Sequence, residues 1–418
     1  MNIIAEWPEL DDDIQTLLPE IINLRHHLHQ YPELSNREFA TSKFIAEQLS
    51  SYGIPVQTGI AGTGIVALIT CERPGICRAF RAELDALPLT EQTKLPYASK
   101  VRAFYPKTGG GEEETGVMHA CGHDVHMAMV LGFARLVAAH PRRFTGSFKF
   151  IFQPAEEGAP DGENGGARQM IREGVLDAPI PDVCIGLHVT AGPLGEYRLG
   201  QYRTTASADT FRLEVTGKST HAAFPWTGID PVPIAAQIIS AWQTIPTRQV
   251  NLSQSMPPVI TVGRIYGGQR HNILADSVVL EGTVRTVDNQ QRDFVLQRMS
   301  SVSEGIATAV GASVKMSLSS NNYIAGKNEP SLVESVVPQL SLISQHKVTV
   351  DGGTYGTDDF AEYAQRVPGL FIRMGATPPE LTDSGEYIWP THSNKFIADD
   401  RAIALGIKTF SALSLHLK

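Results

Sequence analysis

His119-Ala120-Cys121-Gly122-His123-Asp124-Val125-His126 places three imidazoles and a thiol around one glycine. Further along, Phe152-Gln153-Pro154-Ala155-Glu156-Glu157-Gly158 adds two adjacent carboxylates after an apolar run. Thiolate and neutral imidazole hold a divalent ion, and a carboxylate can ligate it or carry protons. The combination reads as a metal-dependent hydrolase. Cys121 and His123 stand one residue apart where a helix begins, so both can aim at one point. Asp124 lies near the positive end of that helix. A structural zinc site would use knuckle spacings, and no Cys-x-x-Cys occurs. His119 and His126 read better as hydrogen-bonded core histidines than as ligands. Glu156 and Glu157 follow a strand, at the edge where α/β sheets place their sites. One can bind metal while the other faces the substrate water. A solvated acidic loop is the bland alternative, and the flanking Phe-Gln-Pro and Gly tell against it. His188, near a strand end, is balanced between ligand and buried structural histidine. His392 and His221 sit on loops and carry no special claim by themselves.

These groups need a scaffold. Apolar spacing of three and four predicts a helix through Asp13–Leu28, and a second from a Ser35 or Asn36 cap through Leu49. Strands are expected at 63–69, 77–81, 147–152 and 183–189, with helices at 127–139 and 167–173 between them. Alternation of that kind gives an α/β mixed-sheet domain. After Gly200 the texture becomes half-buried strand. Strands at 208–215, 259–263, 278–285 and 313–318, with helices at 230–242 and 289–310, follow a β-α-β-β-α-β order. The expected organisation is a catalytic metal-binding domain, 1–203 and 321–418, interrupted by an α+β ferredoxin-like domain, 204–320. The polar stretch Lys107–Thr115 reads as a mobile excursion.

The totals exclude several functions. At 418 residues, the chain exceeds what a single core usually supports. A formal charge of −9 opposes a nucleic-acid or anionic-membrane partner. No apolar run is long enough to span a bilayer. Met1–Glu6 lacks the basic-then-apolar order of a signal peptide, which makes the cytoplasm the expected setting. The 4 cysteines then read as free thiols, with Cys71, Cys77 and Cys184 small and buried.

Taken together, the motifs resemble peptidase family M20, in the branch of aminoacylases, hippurate hydrolases and auxin-amino-acid-conjugate hydrolases. The resemblance spans nearly the whole chain. It runs through Leu24-Arg25-His26-His27-Leu28-His29, Pro32–Ser35, Phe80–Pro88, Met118–His126, Gln153–Gly158, Gly186–Val189, His221–Pro231 and Gly282–Arg285. It implies that Cys121, His123, Glu157, His188 and His392 ligate two divalent ions. Zinc or manganese is expected, with cobalt and nickel also admissible. It implies that Glu156 is the general base on a metal-bridging water, and that Asp85 orients the metal shell. It further implies that His221 reaches a partner subunit's active site to steady an oxyanion, making the inserted domain a lid and dimerisation domain. Asn272 and Arg285 look like the pair that holds a substrate carboxylate.

The implied activity is hydrolysis of a small-molecule N-acyl amino acid or related conjugate by a homodimer or higher oligomer. Two positions depart from the family pattern: Glu83 stands where Asp is common, and Asp358 where Glu is common. A dipeptidase or aminopeptidase of the same clan is the alternative within the class. A metal-independent hydrolase with Cys121 as nucleophile, or a non-catalytic binding protein, is the alternative outside it.

Overall fold

The structure, a computed structural model, describes residues 7–106, 111–160, 162–253, 255–319, 321–344, 346–385 and 387–417. The expectations for Met1–Glu6 and for the first part of the 107–115 stretch lie outside the described residues.

The chain divides into two compact units. One comprises Met1–Tyr202, Lys327–Gly352 and Glu362–Lys418; the other comprises Arg203–Gly326 with Gly353–Ala361. Residues 203, 321–326 and 353–361 thus fall outside the expected division. Backbone bonds explain this, since Thr354 N–H donates to Thr204 O and Ala206 N–H to Gly356 O.

The first unit is built on an eight-stranded mixed sheet. In chain order its strands are β1 (Val56–Ile60), β2 (Gly64–Thr70), β3 (Cys77–Glu83), β6 (Ser147–Gln153), β7 (Val183–Pro193), β8 (Tyr197–Gly200), β13 (Thr349–Asp351) and β14 (Gly369–Thr377); β4 (Arg102–Pro106) and β5 (Glu112–Gly116) form a separate hairpin. The spatial order is β1-β2-β6-β3-β7-β14-β8-β13. The inner run β6, β3, β7 and β14 is parallel. Such strands are covered on both faces and should be apolar almost throughout. β3 is indeed buried at every position. Helices Leu10–Gln30, His123–Ala139 and Arg401–His416 pack against one another. Phe80 of β3 contacts Phe133 and Phe410 edge-on, which welds two of these helices to the sheet.

In the second unit, β9 (Ser207–Thr216), β10 (Val259–Gly267), β11 (Ser277–Thr286) and β12 (Ser313–Leu318) form one antiparallel sheet in the order β10-β11-β9-β12. Helices Pro231–Trp242 and Asn289–Ala309 complete the ferredoxin-like arrangement. Asp230 and Asp288 cap them, each side chain accepting a backbone N–H.

Two local expectations fail. Neither Ser35 nor Asn36 caps the second helix, which runs Phe39–Ser51 behind Glu38. Ser35 spends its hydroxyl on Asp85 instead, and Asn36 takes a φ of 60°. The later part of the 107–115 stretch is ordered, because Glu112–Gly116 pairs with Arg102–Pro106. All four cysteines are free. Among the described residues, no helix is long and apolar enough to cross a membrane.

Candidate metal centre

Strand ends and one helix start meet at the C-terminal edge of the large sheet. β3 leads into Asp85, β6 leads into Glu156 and Glu157, β7 carries His188, and His123 opens a helix. From β3 the chain steps one way to β6, then back past β3 to β7. A reversal of this kind opens the crevice in which α/β sheets bind ligands.

Cys121 and His123 are held around Gly122, whose φ is 86°. A Cβ there would stand 2.4 Å from Val189 Cγ2. Only glycine satisfies both the left-handed backbone and the close approach to β7. Gly122→Ala is therefore expected to cost about 2–5 kcal/mol and to lower metal content. Unchanged Tm and full metal stoichiometry in that variant would refute the reading.

The donor atoms converge. Cys121 Sγ lies 3.4 Å from His188 Nε2 and 3.3 Å from His392 Nε2. His392 Nε2 lies 3.2 Å from Glu157 Oε1, and His123 Nε2 lies 4.0 Å from the same oxygen. His123 Nδ1 donates to the Asp85 carbonyl at 2.8 Å, and His188 Nδ1 donates to Val189 O at 2.7 Å. With the Nδ1 protons committed, the Nε2 lone pairs face inward, as metal-ligating imidazoles require. His123 Nε2 and Glu157 Oε1 are buried without a well-formed hydrogen bond. In the unprotonated form that ligates metal, donors at these separations repel unless a cation lies among them. The spacing suits shared ligation at bond lengths of about 2.0–2.3 Å. Two overlapping groups, Cys121/His123/His188 and Cys121/Glu157/His392, each close to within 4.8 Å. The residues present fit a pair of divalent ions, with Cys121 common to both groups.

Glu156 is buried, its Oε2 3.8 Å from His123 Nε2. It follows Ala155, a left-handed alanine at φ 51°. Glu38 holds that turn, since its Oε1 accepts the N–H of Ala155 and of Asn36, each at 2.9 Å, while Thr63 Oγ1 donates to Oε2 at 2.7 Å. Burial, with Asp85 nearby, raises the Glu38 carboxyl to about 7. Asp85 itself accepts from Ser35 Oγ at 2.7 Å and from Glu157 N–H at 2.9 Å. It ties the Glu157 backbone to the same segment that supports His123.

Behind His123 lies a second layer. Asp124 accepts from Arg25 Nε and from His29 Nδ1, both at 2.9 Å. Burial alone would raise the Asp124 carboxyl, but Arg25 and His29 outweigh it and hold it well below the usual range. Burial opposes the His29 charge, yet Asp124 and Glu91 prevail and lift it to about 9. A histidine raised on folding stabilises fully below its unfolded value near 6.5 and loses that stabilisation as pH rises through about 9. His29→Gln is expected to flatten this alkaline limb of a Tm profile; an unchanged limb would refute the assignment.

His126 is a supporting residue, as its sequence context suggested. Its Nδ1 donates to Glu83 Oε2 at 2.7 Å and its Nε2 accepts Val189 N–H at 2.8 Å. Burial and neighbouring histidines keep it neutral, with a pKa well below the ordinary value. Glu83 also pairs with Arg81, so the longer carboxylate spans a buried ion pair and an imidazole. His119 is buried, but contrary to expectation neither ring nitrogen has a hydrogen-bond partner among the described residues. Burial drives its pKa down to about 3.

His221, Asn272 and Arg285 belong to the second unit. Ala222 N–H donates to Asn272 O at 3.1 Å, and His221 Nδ1 accepts Ala223 N–H at 3.0 Å, so two of the three are neighbours. Asn272 Oδ1 is buried without a hydrogen-bond partner among the described residues. Arg285 has no ion pair among the described residues, and burial lowers its pKa. Asp358, also in the second unit, is buried and accepts Phe360 N–H at 2.8 Å.

The sequence profile of Peptidase family M20/M25/M40 matches residues 79–416. The chain belongs to this family. The M20 assignment is matched along its length by relatives. An N-acetyl-L-cysteine deacetylase of Bacillus subtilis is 38% identical, over 94% of this chain and 86% of its own. Thermostable carboxypeptidase 1 of Saccharolobus solfataricus is 34% identical, over 97% of this chain and 98% of its own. Among solved structures, a Bacillus subtilis protein described as a dinuclear metal binding peptidase of the M20 family superposes with a TM-score of 0.77. It shares 31% identity, over 96% of this chain and 98% of that one. This M20 chain is a metal-dependent hydrolase of the amidohydrolase, deacetylase and carboxypeptidase group.

Proposed function

We propose that the chain hydrolyses the amide bond of an N-acyl amino acid or a related conjugate. The observation that carries this is the convergence of the Cys121, His123, Glu157, His188 and His392 donor atoms beside a separate buried carboxylate, Glu156. Cys121, His123, Glu157, His188 and His392 would hold two divalent ions, zinc or manganese by donor type. Once bound, such ions acidify water and polarise the scissile carbonyl. Glu156 takes the proton of the attacking water and returns it to the departing nitrogen. Asp85 keeps His123 and the Glu157 backbone in place throughout.

His221 donates to the developing oxyanion, and Asn272 with Arg285 binds the substrate carboxylate. An arginine with no ion pair among the described residues suits that last role. The second unit serves as lid and dimerisation domain, with His221 supplied to the partner's site. Its edge strand β10 supports this, since Val259, Ile265 and Tyr266 stand exposed along it. Light scattering that returned a single-chain mass would remove the dimer.

The deacetylase relative favours an acyl substrate, whereas the carboxypeptidase relative keeps a peptide substrate in play. Acetyl, benzoyl, succinyl and indole-acyl amino acids, assayed beside dipeptides on metal-reconstituted protein, decide between them. The expected result is a kcat/KM about tenfold or more higher for one acyl class. A preference for dipeptides would overturn it. The Cys121–histidine contacts also fit a thiol nucleophile, and metal removal separates that reading from this one.

A further inference from the structure

At the opposite edge of the large sheet, Trp7, Arg73, Arg142, Arg143, Thr145 and Ser414 help line a cavity of about 440 Å³. Thr145 lies just before β6 begins, and Glu156 lies just beyond its other end. Seven strand residues separate these ends, or about 23 Å, so the cavity is distinct from the metal centre.

The charge in this cavity is one-sided. Among the described residues, the Arg73 side chain donates only to the carbonyls of Arg143 and Phe144. Arg142 has no ion pair or hydrogen bond among the described residues. Arg143 contacts Glu9 at 3.1 Å and lies over the Trp7 ring. Beneath them Arg78 is fully buried and donates to the carbonyls of Thr145, Ile76 and Leu417. Burial lowers it to about 10, outweighing the opposing pull of Cys71, Cys77 and Asp182. Ser414 lines the cavity at only 3% exposure, and its buried Oγ has no hydrogen-bond partner among the described residues. A chain whose formal charge is −9 offers no general reason for such a basic concavity.

We propose that this cavity binds a phosphate group, either as the free ion or as the ester of a small metabolite. Planar guanidinium forks match tetrahedral oxyanions, and the exposed Arg73 and Arg142 bring two such forks to one cavity wall.

Metal-loaded protein should be titrated calorimetrically with inorganic phosphate and, separately, with glycerol phosphate, against potassium chloride at equal ionic strength. The expected result is saturable binding beyond the chloride control, weakened about tenfold or more in an Arg73→Ala/Arg142→Ala variant. Both arginines are exposed, and Arg142→Ala alone supplies a milder second variant with a smaller loss. Binding of the ester supports a phosphorylated metabolite, and binding of inorganic phosphate only supports the free ion. Equal affinity in parent and double variant would place the anion at the metal centre instead and overturn the proposal. So would an absence of saturable heat with both probes.

Discussion

Glu156→Gln should lower kcat by about 10²–10⁴ while leaving metal content unchanged. The side chain keeps its shape, and the ligands Cys121, His123, Glu157, His188 and His392 are untouched. What disappears is the group that takes and returns a proton. The substitution also removes a negative charge from a pocket already crowded with Asp85 and Glu157, so KM is expected to change less than kcat. Metal analysis of the purified variant beside steady-state kinetics is the check. Activity within a few-fold of the parent would remove Glu156 from the mechanism. Lost activity with lost metal would show it acting as a ligand.

Stripping the metal is expected to do more. Chelation should abolish turnover, and stoichiometric zinc or manganese should restore it. It should also lower Tm, because the lone pairs of Cys121, His123, Glu157, His188 and His392 would again face one another without a cation. A thiol nucleophile behaves oppositely. With Cys121 activated by His188 or His392, chelation would leave activity intact, and alkylation alone would end it. Full activity in metal-free protein would overturn the metal-centre reading.

Much of this arrangement was legible in the sequence. The β-α-β-β-α-β order at 204–320 announced the ferredoxin-like unit because its strands alternate and its helices are amphipathic. The Cys121–His123 spacing showed the helix start, since such an aim needs a sharp turn. Other features were hidden for physical reasons. His188 lies within β7, and His392 stands on a loop at φ 67°, so only the fold can bring them to Cys121. Family resemblance alone singled them out. Glu38 was missed altogether, because an acidic residue before a helix looks like ordinary solvated charge. Its role appears only when the Ala155 turn is seen leaning on it. The capping choice at Ser35 failed for a related reason, since local preference yielded to a tertiary partner, Asp85. Edge strands such as β1 and β13 are short and carry weak patterns.

One sulfur atom belongs to both halves of the candidate centre, within 3.4 Å of imidazoles from distant parts of the chain. A carboxylate in that place would be inert to peroxide, whereas a thiolate can be carried to sulfenic acid and beyond. Oxidation at this single position would disable both halves together. The choice of sulfur at Cys121 ties the working life of the catalyst to the reducing power of its surroundings.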